Sequence, residues 1–279
     1  MDRRGRPILV TWATGNAGRE VVAALGSRGA AVRWAVRTPQ GGDEVALDLL
    51  RPETWDPALD GAGAVFLLRP PPISDMGTTL VPFVARARAM GVERIVFLSV
   101  AGAETSRWVP HRKVEAALMA GPTDWTILRP GFFAQNLADA YLQDIREDDR
   151  LYVPAGRGRV AFVDLRDVGE VAARALLGET QPGEAYTLTG PRAVDFGTVA
   201  QILSQALGRN VRYRPASIPG YAAHLRRRGL PWGAIVVQTL LHVGLRFGQA
   251  ATVDPTLGNL LGHPPRDIGA FIADHTDLW

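Results

Sequence analysis

Short apolar, β-branched runs at 8–12, 31–36, 64–68 and 94–100 alternate with longer segments of helical periodicity, such as GREVVAALGSRG and LVPFVARARAMG. Strands separated by helix-length crossovers pair in parallel, and a parallel sheet needs helices on both faces. The alternation therefore predicts an α/β fold with a doubly wound parallel sheet. A further run, DWTILRP at 124–130, ends in Pro130 and Gly131, which forbid simple continuation of the strand.

Beyond about residue 150 the rhythm loosens. GRGRVAFVDLRDVGEVAARALL predicts a short strand and then a helix capped by Asp167, whose carboxylate can accept orphan N–H groups. AYTLTGP is another short strand, and the remainder reads as mostly helical, with VRYRP an exception. The expected division is a sheet domain over 1–154 and a smaller, mostly helical region over 155–279. Part of 160–178 is expected to return to the first domain.

Composition narrows the chemistry. The chain has no cysteine, which excludes thiolate metal sites and a catalytic cysteine, and its five histidines lack the spacing of a zinc site. The net charge is +3, but the arginines are dispersed, and Lys113 is the single lysine. The densest cluster, arginines 226–228, lacks interleaved aromatics and reads as a solvated helix end, so no nucleic-acid partner is expected. AIVVQTLLHVGL at 234–245 is too short and too interrupted by Gln238, Thr239 and His242 to span a bilayer, and reads as a packed helix; no membrane partner is expected. The opening MDRRGRPILVTW is too brief an apolar run for a signal peptide, which implies a cytoplasmic protein.

In open parallel sheets, ligands bind beyond the carboxyl ends of the strands. Those ends are the loops 11–18, 37–38, 69–72, 99–102 and 129–133. In the first, TGNAG places Gly15 and Gly18 at a helix start, where missing side chains let a pyrophosphate approach backbone N–H groups and the positive end of the helix dipole. Arg37 falls at the end of the second strand, where the ribose of a dinucleotide would sit, and a guanidinium there suits a 2′-phosphate. The plainer reading of Arg37 is an exposed loop arginine.

VTWATGNAGREVV, Arg37, LDLLRPETWDPALDGAGAVFLLRPP, RIVFLSVAGAE, HRKVEAALMAG, DWTILRPGFFAQNL, FVDLRDVGEVAA and AYTLTGP occur in the order found in the NmrA-like family of atypical short-chain dehydrogenases/reductases. The chain resembles that family over nearly its whole length, most densely from 8 to 190. The resemblance implies a Rossmann domain holding NADP, or NAD, and a C-terminal region over the substrate side. It assigns the cofactor to Thr14, Gly15, Asn16, Ala17, Gly18, Arg37, Asp48, Leu68, Arg69 and Pro130, and the substrate to Phe132, Phe133 and Asn136; Trp12, where the family has glycine, is added to the substrate-side candidates as a crevice-lining residue. One of the two phenylalanines can equally be core. A homodimer is left open.

Two departures from the family pattern stand out. The GxxGxxG turn reads Trp12-Ala13-Thr14-Gly15-Asn16-Ala17-Gly18, so an indole replaces the first glycine. It can pack beneath the loop, stack on a neighbour or intrude on the crevice; the expectation is an intruding or crevice-lining indole. Aligned on Glu115, the superfamily's Tyr-xxx-Lys pair becomes Arg107 and His111, so tyrosine-based proton transfer is absent. His111 is the candidate general acid or ribose ligand, against a helix-start histidine bonding locally. Ser99 is the candidate substrate-polarising hydroxyl, against a strand-end hydroxyl bonding backbone.

Two function classes follow from this pattern. One is an NAD(P)H-dependent reductase of a quinone or conjugated aromatic, polyketide-like molecule, whose product anion is stable enough to dispense with a strong acid. The other is a non-redox tailoring enzyme or ligand sensor whose dinucleotide site Trp12 has compromised.

Overall fold

The expected apolar runs form strands, and their lengths follow the runs closely. The computed structural model describes residues 5–70, 73, 75–106 and 108–279; Pro71, Pro72 and Arg107 lie outside them. In chain order the strands are β1 (Ile8–Thr11), β2 (Val32–Val36), β3 (Glu44–Ala46), β4 (Ala64–Leu68), β5 (Arg94–Leu98), β6 (Asp124–Pro130), β7 (Arg150–Leu151), β8 (Arg159–Val160), β9 (Glu184–Leu188), β10 (Val194–Asp195) and β11 (Arg212–Tyr213). The helices are α1 (Asn16–Gly26), α2 (Trp55–Leu59), α3 (Leu80–Ala89), α4 (His111–Met119), α5 (Leu142–Asp148), α6 (Leu165–Leu176), α7 (Phe196–Leu207), α8 (Ile218–Arg227), α9 (Trp232–Leu245), α10 (Thr256–Leu261) and α11 (Ile268–Asp274).

The first of two units comprises 1–130, 165–188 and 259–262. Its seven-stranded sheet has the order β3-β2-β1-β4-β5-β6-β9, and every pairing is parallel. All five residues of β4 are buried, as a central strand covered on both faces requires. Leu9, Val65, Leu67, Ile95, Phe97 and Ile127 pack with side chains of α2, α3 and α4. Helix α6 lies against α1 and touches β4, β5 and β6. A Cβ on Gly169 would stand 2.7 Å from the Glu20 carbonyl carbon, so α6 approaches α1 more closely than a side chain allows. This crossing fixes the direction in which α1 presents its N-terminus.

Strand order reverses between β1 and β4, since β2 and β3 lie on one side and β5, β6 and β9 on the other. There the backbone ladder runs only from Ile8↔Ala64 to Val10↔Phe66. The next link is a side chain: Thr11 Oγ1 accepts from the Leu68 amide at 3.0 Å. The strands thus part at their carboxyl ends, which opens the crevice that such a switch point provides.

The second unit comprises 131–164, 189–258 and 263–279. Its core gathers Tyr141, Ile145, Phe162, Phe196, Leu203, Tyr221, Ile235 and Phe271, with two short ladders, β8–β10 and β7–β11. The VRYRP run supplies β11. Residues 131–154, read from sequence as part of the sheet domain, fall in this unit, because the chain leaves the sheet at Pro130. Helix α6 begins at Leu165, so Asp167 sits within its first turn rather than at the cap. A carboxylate there still faces the positive end of the helix dipole. Among the described residues no helix is long and apolar enough to cross a membrane.

Candidate functional site

The loop after β1 is built around a residue in an unusual conformation. Trp12 has φ 54°, in the left-handed region that favours glycine and costs other residues about 1–2 kcal/mol. The turn therefore keeps a glycine's backbone at the position where the glycine is missing. Its carbonyl accepts from the Gly15 amide at 3.0 Å. The indole folds onto Gly15, where a Cβ would stand 1.9 Å from Cδ1 and 2.1 Å from Nε1. A Cβ on Gly18 would lie 2.1 Å from the Trp12 carbonyl oxygen. Both retained glycines are thus required by close approach to residue 12. Gly15 is the N-cap of α1, and among the described residues no side chain caps that helix.

This turn opens on a cleft of ≈ 180 Å³ whose lining includes Trp12, Thr14, Arg37, Asp48, Leu49 and Ile73. Four of the residues read from sequence are brought together here: Trp12, Thr14, Arg37 and Asp48. Trp12 lines the cleft half-buried, with Thr14, Arg37 and Asp48 among the other lining residues. Arg37 is exposed just beyond β2, and among the described residues no carboxylate or carbonyl engages its guanidinium. Asp48 Oδ1 accepts from the Leu50 amide at 2.9 Å. Asn16 is exposed and Ala17 half-buried at the helix start, and Leu68 is buried at the end of β4. Arg69 follows, its Nη1 donating to the Ile73 carbonyl at 2.8 Å.

A dinucleotide fits this set. An uncapped helix start offers amides and a positive dipole end to a pyrophosphate, and an unengaged guanidinium beyond β2 offers charge to a ribose phosphate. A profile of the NAD(P)H-binding family matches residues 13–177. The chain belongs to the NAD(P)H-binding family.

Relatives of this NAD(P)H-binding chain match it almost end to end. The NAD(P)H azoreductase of Xenophilus azovorans is 31% identical, over 96% of this chain and 97% of the relative. The (4-alkanoyl-5-oxo-2,5-dihydrofuran-3-yl)methyl phosphate reductase of Streptomyces griseus is 32% identical, over 98% and 99%. Among solved structures, the NADPH-dependent quinone oxidoreductase of Escherichia coli in complex with NADPH superposes with a TM-score of 0.85 at 26% identity. That likeness covers 97% of this chain and 99% of the other.

Apart from the residues lining that cleft, the first unit carries a buried polar cluster that sequence reading missed. Glu115, on α4, accepts from Ser99 Oγ at 2.5 Å and from Arg129 at 3.1 Å (Nε to Oε1) and 2.6 Å (Nη2 to Oε2). Arg129 Nε also lies 3.5 Å from Glu104 Oε2. The Ser99 hydroxyl hydrogen is therefore committed to a carboxylate. The available signal was an acid one turn beyond His111 on the helix, together with an arginine at the end of a strand.

His111 opens α4, buried, with its ring tilted against Phe97 at 6.0 Å. Its Nδ1 has no hydrogen-bond partner among the described residues. Burial, and next the Arg69 charge, pull the imidazole down to about 4, against an opposing pull from Glu115. At neutral pH it is uncharged, which argues against the general-acid role read for it from the sequence. A neutral imidazole still donates or accepts one hydrogen bond at each nitrogen. Lys113, two residues on, is exposed, with Nζ 4.0 Å from Asp75. Arg107, at the superfamily's tyrosine position, is outside the described residues. Pro130 is buried at the end of β6, its carbonyl accepting from Ala101 at 3.0 Å.

The remaining candidates belong to the second unit. Phe132 packs edge-on against Phe162 at 5.7 Å and His242 at 5.8 Å, so it is partly core. Phe133 forms an isolated bridge with Val163, and Asn136 Nδ2 donates to the Phe133 carbonyl at 3.0 Å.

Proposed function

We propose that the chain is an NAD(P)H-dependent oxidoreductase that reduces quinones or other conjugated aromatic small molecules. The observation that carries this reading is the cleft holding Trp12, Thr14, Arg37 and Asp48 beside an uncapped helix start. Its relatives named as azo, quinone and furanyl reductases support the substrate class.

In this assignment Thr14, Gly15, Asn16, Ala17 and Gly18 hold the pyrophosphate, Arg37 the 2′-phosphate and Asp48 the adenosine side. Leu68, Arg69 and Pro130 border the nucleotide, and Phe132, Phe133 and Asn136 remain the substrate-side candidates. When bound, the cofactor supplies a hydride. His111, neutral and with Nδ1 unengaged, holds a ribose hydroxyl rather than delivering a proton from an imidazolium. Ser99 helps position Glu115, which in turn holds Arg129. No residue in this set needs to act as a strong acid. A conjugated acceptor that takes a hydride leaves a delocalised anion, which takes its proton from water.

The test is consumption of NADPH, followed by its absorbance, with a quinone, an azo dye and a simple ketone as acceptors. Consumption with the first two and none with the ketone is expected. Failure to bind NADPH, or equal rates with the ketone, overturns the reading.

A further inference from the structure

Helix α9 wears its polarity inside out. Its buried positions are Ile235, Thr239, His242 and Leu245, two of them polar. His242 hydrogen-bonds Tyr141, and its Nδ1 lies 2.6 Å from the Gln238 carbonyl. The opposite side carries Trp232, Val236, Val237, Leu240 and Leu241, each 51–66% exposed, and Phe247 just beyond the helix is 84% exposed. Successive residues turn by about 100°, which gathers the five helical positions on one half of the cylinder with only Val243 and two glycines between them. A solvent-facing helix normally shows the reverse arrangement.

The stretch of chain that forms this face carries charge of one sign. From 196 to 253 the chain has seven arginines and no aspartate or glutamate. Arg226 and Arg227 end α8, both exposed, and the Arg226 guanidinium lies 5.7 Å from the Trp232 ring centre. Arg246 is the C-cap of α9 and is also exposed. Arg228 turns inward to Asp144 at 3.0 Å, and Asp144 itself is buried. Arginines therefore flank both ends of an apolar face, Arg226 and Arg227 at one and Arg246, whose Nη2 also donates to the Ala216 carbonyl at 3.4 Å, at the other, with an indole at the first end and a phenyl ring at the second.

We propose that this face docks onto an anionic lipid surface, with α9 lying in the plane of the interface. An apolar half-cylinder enters the acyl boundary, aromatic residues sit at headgroup depth, and arginines meet lipid phosphates. The expectation of no membrane partner rested on length, which bears on crossing a bilayer. A helix of 14 residues is about 21 Å long, too short to cross but long enough to lie flat. A second copy of the chain fits less well, because a two-fold contact through this face would set arginine against arginine.

The experiment is sedimentation of the full chain with phosphatidylcholine vesicles, with and without phosphatidylglycerol. Binding to the anionic vesicles alone is expected, weakening as salt rises. The double variant Arg226→Ala, Arg227→Ala should bind about thirtyfold more weakly, since each basic residue near such a surface contributes about fivefold. Val236→Glu with Leu240→Glu should abolish binding; Leu240→Ser, a milder change at an exposed position, should weaken it. NADPH binding by each variant reports that the fold is intact. Absence of binding to anionic vesicles, or binding that these substitutions leave unchanged, overturns the proposal. So does a solution dimer that Leu240→Ser splits without any partition to lipid, which would give the face to a second copy.

Discussion

The indole of Trp12 occupies the space a Cβ on Gly15 would take, at 1.9 Å from Cδ1, so the two positions constrain each other's identity. The coupling predicts a strongly non-additive pair. Gly15→Ala forces the indole off its seat and should cost about 1–3 kcal/mol, as overpacking does. Trp12→Gly removes half-buried apolar surface but also relieves the left-handed backbone, so its net cost should be small. The double variant should then recover most of the Gly15→Ala loss, because the three nearest atoms to the added Cβ all belong to Trp12. Urea denaturation of the four proteins measures this. Additive losses would show that the indole is not what Gly15 accommodates.

The same Trp12→Gly protein tests nucleotide access. Restoring the small residue of the family turn should tighten NADPH binding, measured by calorimetric titration. Unchanged or weaker affinity means that the indole contributes to the site instead of crowding it.

Arg37 stands exposed and unengaged at the end of β2. Arg37→Ala should weaken NADPH by about 1.5–3 kcal/mol, the range for hydrogen bonds to charged groups, and leave NADH nearly unchanged. Equal losses for the two cofactors would remove the 2′-phosphate assignment.

The sheet and its switch point were legible in the sequence because each is local. β4 reads as an unbroken apolar run, and the turn after β1 as glycines at a helix start. The missing glycine was equally visible, whereas the φ of Trp12 was not, since nothing in the order of residues states that a tryptophan accepts a left-handed backbone. The Ser99–Glu115–Arg129 cluster was hidden for a different reason. Its members lie on β5, α4 and β6 and meet only after the sheet is assembled. That α9 packs was legible, but its exposed apolar face was not, because apolarity along a helix reveals its character and not which side finds a neighbour.

Ser99 distinguishes positioning from chemistry. If its hydroxyl only anchors Glu115, Ser99→Ala should cost about 1.5–3 kcal/mol of stability and leave kcat within a few-fold, because Arg129 still holds the carboxylate. Glu115→Ala should cost about 3 kcal/mol, the low end for breaking a buried pair, because Arg129 then keeps only the Glu104 carboxylate, 3.5 Å away. A hydroxyl that polarised the substrate would behave otherwise, with kcat falling about a hundredfold in Ser99→Ala and little change in melting temperature.

His111 gives a pH signature of known sign. Its imidazole is held at about 4 in the folded protein, below the ordinary value of 6.5 that it regains on unfolding. Between those values the unfolded chain binds a proton that the folded chain does not, so stability falls as pH drops from 6.5 towards 4 and levels off below that. The loss from this one residue is on the order of 3 kcal/mol. His242, also buried and lowered, acts in the same direction. Replacing His111 with Asn removes the first contribution, so the stability curve of His111→Asn should be flatter across this window than that of the wild type. At pH 7 the variant should retain its fold while binding NADPH more weakly through the lost ribose contact. A curve as steep as the wild type's would show that His111 is not the residue that titrates, and unchanged NADPH affinity would remove it from the cofactor site.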